Sequence, residues 1–123
     1  MNKRELKNQL KDLPRYQFVL LAGGSLVMRG LRDEASDIDI CVSEGLAREL
    51  KVYDQKPDEH GIYKLPDGMD VMVGMHRVNC ELVDGYLCER LEDILDFKQR
   101  RNLPKDRRDI EVIEEYFTQQ GRS

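Results

Sequence analysis

Leu6, Leu10 and Leu13 recur at helical spacing near the start of the chain, with charged residues between them. Asn2 followed by Glu5 has the offset of a capping box, so a helix over about 3–12 is expected, stopped by Pro14. The period then changes. FVLLAGG (18–24) is an apolar run of strand length closed by two glycines, and Ser25 is placed to cap a short helix through about Gly30. SDIDICV (36–42) alternates polar and apolar side chains as a strand does, and Ser43 is suited to cap a helix over Glu44–Leu50. Residues 51–60 are polar and contain Pro57, which predicts a loop. GIYKL (61–65) and MDVMVG (69–74) flank Pro66-Asp67-Gly68 as a β-hairpin, and NCELV and YLCE flank Asp84-Gly85 as two further strands. From Leu91 the helical period returns, with Ile94, Leu95 and Phe97 toward a core. Pro104 stands at the first position of a last helix whose apolar residues are Ile110, Ile113, Tyr116 and Phe117. This order predicts an α+β fold, a mixed β-sheet with helices packed on it, as a single domain over 1–123.

Composition narrows the class. The 123 residues are 40% apolar and 36% charged, which suits a folded chain with a strongly ionic surface and speaks against disorder or a collagen-like rod. No apolar run approaches the roughly 20 residues of a membrane-spanning helix. The opening MNKRELKNQLKDL is charged throughout, unlike a signal peptide. Cys41, Cys80 and Cys88 lack metal-ligand spacing, so a cytoplasmic address with reduced thiols is the expectation. The net charge of −4 is unevenly spread: +5 over residues 1–32, −11 over 33–96 and +2 over 97–123. Between Lys98 and Arg108 stand six bases and one acid, Asp106. Such a run is either a solvated helix face or a place to meet phosphate.

Candidate chemistry concentrates in LAGGSLVMRGLRDEASDIDICV (21–42). On a strand, Asp37 and Asp39 share one face while Ile38 and Ile40 take the other. Neighbouring carboxylates repel, and a hard divalent cation relieves that repulsion; an edge strand with a solvated face accounts for Asp-Ile-Asp as well. Gly23-Gly24-Ser25 serves either as a tight turn or as a close approach for an anionic ligand. It is no Walker loop, since no Gly-Lys-Ser/Thr follows at the required offset. Eleven residues separate Ser25 from Asp37, and a third carboxylate, Asp70, lies on a later strand with Val71 and Val73 on the opposite face. The combination is sharper than its parts.

Together these residues resemble the signature of the nucleotidyltransferase superfamily, whose fold is shared with DNA polymerase beta. The pattern is Gly-Gly/Ser-Ser, about a dozen residues, Asp-x-Asp, then a later acid; it is matched by Gly24, Ser25, Asp37, Asp39 and Asp70. GLRDEASDIDI, with Arg32 and Ser36, is similar to the form found in small bacterial members. These include aminoglycoside- and lincosamide-type nucleotidyltransferases and the toxins of abortive-infection systems. LEDILDFKQRRNLPKDRRDIEVIEEYF resembles a C-terminal segment of the same subgroup at Lys98, Lys105, Asp106 and Asp109, with Leu103 departing from the usual Arg-Pro-Lys. The signature spans 18–75, the C-terminal helical segment 90–119, and the resemblance as a whole about 18–118.

The resemblance implies a metal-dependent enzyme that moves a nucleoside monophosphate from a triphosphate, ATP first among the candidates, to an acceptor hydroxyl with release of pyrophosphate. It further implies that Asp37, Asp39 and Asp70 ligate Mg²⁺ or Mn²⁺, with Asp70 also placed to accept the hydroxyl proton. Gly24 and Ser25 would contact the donor's phosphates, and Lys98 and Lys105 would offset the charge on pyrophosphate. The acceptor is a small molecule, an RNA end or a protein hydroxyl. A different class of function keeps the fold without the turnover: a nucleotide- and metal-binding component of a toxin–antitoxin or other two-protein system. Nucleic-acid binding through Lys98–Arg108 is weaker, given the acidic net charge and 7% aromatic residues.

Overall fold

A computed structural model describes residues 1–121. The chain divides into two compact units, one ending at Glu89 and the other starting at Arg90.

In the first unit, α1 (Lys3–Leu10) opens with the expected capping box: Asn2 accepts from the Glu5 N–H while the Glu5 carboxylate accepts from the Asn2 N–H. Strand β1 (Phe18–Leu20) leads into α2 (Ala22–Met28), followed by β2 (Ile38–Val42) and α3 (Glu44–Glu49), which Ser43 caps through the Leu46 N–H. A 3₁₀ turn at Val52–Asp54 lies within the polar stretch read as loop. Then come the hairpin of β3 (Tyr63–Lys64) and β4 (Met69–Val73), and the hairpin of β5 (Cys80–Val83) and β6 (Tyr86–Glu89).

The six strands form one sheet in the order β3-β4-β2-β1-β6-β5. It is mixed: β1 pairs antiparallel with β2 and parallel with β6, while β2 pairs parallel with β4. Alternation sorts the side chains. Phe18, Leu20, Ile38, Ile40, Val42, Met69 and Val71 turn to one face. There they are buried with Leu6 and Leu10 of α1, Val27 and Met28 of α2, and Leu46 and Ala47 of α3. Val19, Leu21 and Cys41 are buried on the opposite face, with Met72 and Leu87 packed beside them. The α+β reading with helices packed on a mixed sheet is what the structure shows.

The second unit holds α4 (Leu91–Arg101) and α5 (Arg107–Gln119), which pack on each other. The buried stripe of α4 is Leu91, Ile94 and Lys98, so Phe97, expected inside, is instead 49% exposed with the Arg101 guanidinium over its ring. Pro104 opens a 3₁₀ turn (Pro104–Asp106) that precedes α5 rather than being its first residue. Among the described residues, no helix is long and apolar enough to cross a membrane.

Candidate active site at one end of the sheet

The parallel pairing of β2 with β4 sets Asp39 directly beside Asp70 in register. Register partners project from the same face of a sheet, so the two carboxylates share the face of Cys41 and Met72. Asp37 precedes β2 by one residue and is exposed. Because β1 runs antiparallel to β2, its exit lies at the entry of β2: the Leu21 N–H donates to the Asp39 carbonyl at 2.9 Å. The segment Ala22–Ser25 therefore starts beside Asp39. All three acids and the glycine turn belong to one end of the sheet. The solvated-edge explanation of Asp-Ile-Asp does not hold, because β2 is an interior strand with β4 on one side and β1 on the other.

This juxtaposition has an electrostatic signature. The Asp39 carboxyl is pushed up to about 6, first by burial and then by the negative charges of Asp70 and Asp37; Lys64 opposes the rise. On β3, Lys64 is the register partner of Asp70, and its ammonium lies 3.4 Å from both carboxylate oxygens. A set of carboxylate oxygens that destabilise one another's charge has the donor chemistry of a Mg²⁺ or Mn²⁺ site. As the side chains stand, no group of three or more His, Cys, Asp or Glu among the described residues is arranged to hold a metal ion.

The glycine turn is built differently from the sequence expectation. Helix α2 starts at Ala22, not Ser25, so both glycines lie within its first turn. The start is fixed from a distance: the Ala22 N–H donates to the Glu89 carboxylate at 3.0 Å. Ala22 has φ +43°, a left-handed conformation that costs a non-glycine residue about 1–2 kcal/mol. Gly24 packs on β1 so closely that a Cβ would stand 2.9 Å from Cδ1 of Leu20. The buried Ser25 hydroxyl donates to the Glu89 carbonyl at 3.0 Å and lies 3.4 Å from Nε of Arg29, which donates to it. As placed, that hydroxyl faces the interior. Arg29 turns to Glu81 at 2.8 Å and to the Glu89 carbonyl at 2.9 Å. Tyr63 packs edge-on against Tyr53, with 5.7 Å between ring centroids.

In the second unit, the Lys98 ammonium is buried between Asp106 at 3.3 Å and Asp109 at 3.2 Å. Arg101 grips Asp106 with two nitrogens, and this pairing, with Lys98 behind it, holds the Asp106 carboxyl down at about 2. Asp109 is thus paired with a base, Lys98 of α4. Lys105 is exposed.

Two residues of the site escaped the sequence reading. Lys64 was within reach of it, since a hairpin closed at Pro66-Asp67-Gly68 faces Lys64 across to Asp70. Glu89 carried no local signal, because its contact with Ala22 spans 67 positions. In comparisons with known proteins, no family model, no curated protein and no solved structure matches the chain.

Proposed function

We propose that this chain is a metal-dependent nucleotidyltransferase that moves a nucleoside monophosphate from a triphosphate, ATP first among the candidates, to an acceptor hydroxyl and releases pyrophosphate. One observation carries the reading: Asp39 and Asp70 are register partners on adjacent parallel strands, with Asp37 and the Ala22–Ser25 turn at the same sheet end. Their donor chemistry suits Mg²⁺, with Mn²⁺ as a substitute. When bound, such cations offset the charge of the phosphates and hold the attacking and leaving oxygens in line. Asp37 and Asp39 supply carboxylate oxygens from one strand end and Asp70 from its neighbour. Asp70 is also the group assigned to take the acceptor's proton, which requires it ionised at the outset. Gly24 and Ser25 are the residues assigned to the donor's phosphates, which the Ser25 hydroxyl would meet only on leaving the Glu89 carbonyl. The resemblance also assigns Lys98 and Lys105 to the pyrophosphate; of the two, Lys105 is exposed, whereas Lys98 is buried between two carboxylates.

The test is pyrophosphate release from each of the four NTPs with Mg²⁺, comparing wild type with Asp37→Asn, Asp39→Asn and Asp70→Asn. Loss of release in all three supports the reading, and undiminished turnover in Asp37→Asn and Asp39→Asn sinks it. A second reading draws on a specific feature, since the Ala22 N–H and the Ser25 hydroxyl are both engaged by Glu89. On that reading the chain is a nucleotide- and metal-binding component that needs a partner protein, as in a toxin–antitoxin pair. It would bind Mg²⁺ and a triphosphate yet release no pyrophosphate alone.

A further inference from the structure

The hairpin that brings Asp70 to the sheet brings a lysine with it. Lys64 is paired in register with Asp70, and its ammonium is equidistant from both carboxylate oxygens at 3.4 Å. The two side chains differ in setting: Asp70 is 21% exposed, Lys64 72%. The acid is held by the sheet, whereas the lysine hangs on a two-residue strand at the sheet's margin and reaches in from solvent. Its charge also opposes the rise of the Asp39 carboxyl, which burial causes first and the charges of Asp70 and Asp37 next.

We propose that Lys64 is a tethered counter-cation of the acidic site: it holds Asp70 in place without a metal ion and swings away when a divalent cation binds. This rests on the reading that Asp37, Asp39 and Asp70 hold such a cation. The exposure of Lys64 is what suits it to the task. An exposed ammonium regains its hydration on leaving, and surface ion pairs are worth only about 0–1 kcal/mol, so displacement is easy. A lysine ammonium is also a flexible point charge, without the forked two-point grip that would lock an arginine to the carboxylate. The arrangement selects by valence. A monovalent ion brings no more charge than the ammonium it replaces and gains nothing by exchange. A divalent ion brings one charge more, and attraction to several carboxylates scales with that charge.

The experiment measures Mn²⁺ binding by EPR or calorimetry on chelator-treated protein, so no turnover is needed. Lys64→Met removes both the competitor and a repelling charge, and should bind Mn²⁺ about three- to tenfold tighter than wild type. Lys64→Arg keeps the charge and adds the forked grip, so it should bind Mn²⁺ no tighter than wild type. In Lys64→Met, added Na⁺ should weaken Mn²⁺ binding more than choline does at equal ionic strength, whereas in wild type the two salts should act alike. Equal or weaker Mn²⁺ binding by Lys64→Met, with Asp39→Asn still abolishing it, would overturn the counter-cation role and leave the metal site standing. Wild-type protein that binds no Mn²⁺ would overturn both. Thermal unfolding of each variant, with Lys64→Gln as a polar replacement, separates these outcomes from a loss of fold.

Discussion

Replacing Asp39 by asparagine should make the protein more stable while removing a ligand of the proposed metal site. In the folded protein the Asp39 carboxyl sits at about 6 against its ordinary 3.8, raised by burial and by the charges of Asp70 and Asp37. At 1.36 kcal/mol per pK unit that difference is worth about 3 kcal/mol. Asp39 is only half-buried, so solvent screening reduces the figure to about 1–2 kcal/mol. The direction follows from proton counting. Between pH 4 and 6 the folded state holds a proton on Asp39 that the unfolded chain has already released, so stability falls as pH rises through this window and stays lower above it. The asparagine side chain of the Asp39→Asn variant is neutral at every pH, so the variant escapes the fall and can donate an amide N–H toward Asp70.

The assay is thermal or urea unfolding of both proteins in EDTA from pH 4 to pH 8. At pH 7.5 the variant should melt higher by about 3–8 °C, given the few degrees per kcal/mol expected of a chain this size. By pH 4 the gap should close. Excess Mg²⁺ should then raise the wild type and leave the variant unmoved, because a cation stabilises only the state that binds it. A variant no more stable than wild type at pH 7.5, or a gap of the same size at pH 4, refutes the view that the three acids repel one another.

Gly24→Ala should lower stability by about 1–3 kcal/mol, because its Cβ would meet the buried Leu20 side chain at 2.9 Å; an unchanged urea midpoint would contradict that packing. Asp106→Asn should cost roughly 2–4 kcal/mol at pH 7, since it leaves the buried Lys98 short of charge. The Asp106 carboxyl is held down at about 2, so its contribution is present above about pH 4 and is lost as pH falls toward 2. Circular dichroism along a urea series at pH 7 and pH 2.5 should therefore show the wild-type advantage shrinking in acid, and a constant advantage would count against it. Calorimetry of ATP binding should give a measurable signal with Mg²⁺ and none in EDTA; equal affinity in both buffers would remove the cation from the proposed site.

Much of the fold could be read locally because its elements are locally encoded. The capping box at Asn2 and Glu5, the Ser43 cap and both hairpin turns rest on residues within a few positions of one another. Alternation in β2 was enough to turn Ile38 and Ile40 inward and leave Asp39 on the other face. What escaped was non-local. The start of α2 was misplaced because its cap is Glu89, 67 residues away, and no rule about neighbours finds it. The stripe of α4 had the right period, but its third member is Lys98, a residue type that is buried only when paired. Its partners, Asp106 and Asp109, lie beyond the turn that follows α4. Phe97 then falls outside the stripe and takes Arg101 as its cover. The pairing of β2 with β4 is long-range as well, so the meeting of Asp39 with Asp70 was expected from resemblance and not from pattern.

On the proposed function, the placement of charge would set the order in which a nucleotide enters. Asp37, Asp39 and Asp70 belong to the sheet end where the turn begins, and Glu89 reaches the same turn through Ala22. Each phosphate charge brought within about 6 Å of one carboxylate costs about 1.4–2.8 kcal/mol at an effective dielectric of 20–40, and a triphosphate brings about four such charges. Summed over the set, that exceeds the whole binding energy of a millimolar ligand, about 4 kcal/mol. Lys64 offsets one charge of the set and is already committed to Asp70. The Ala22 N–H, which an anion could otherwise use, already faces a carboxylate. On the proposed function, divalent charge would therefore arrive before the donor or with it. An interior strand pressing Asp39 against Asp70 is a standing local conflict, of the kind a sequence keeps where function requires it. A merely solvated surface would have no reason to bring these acids into register.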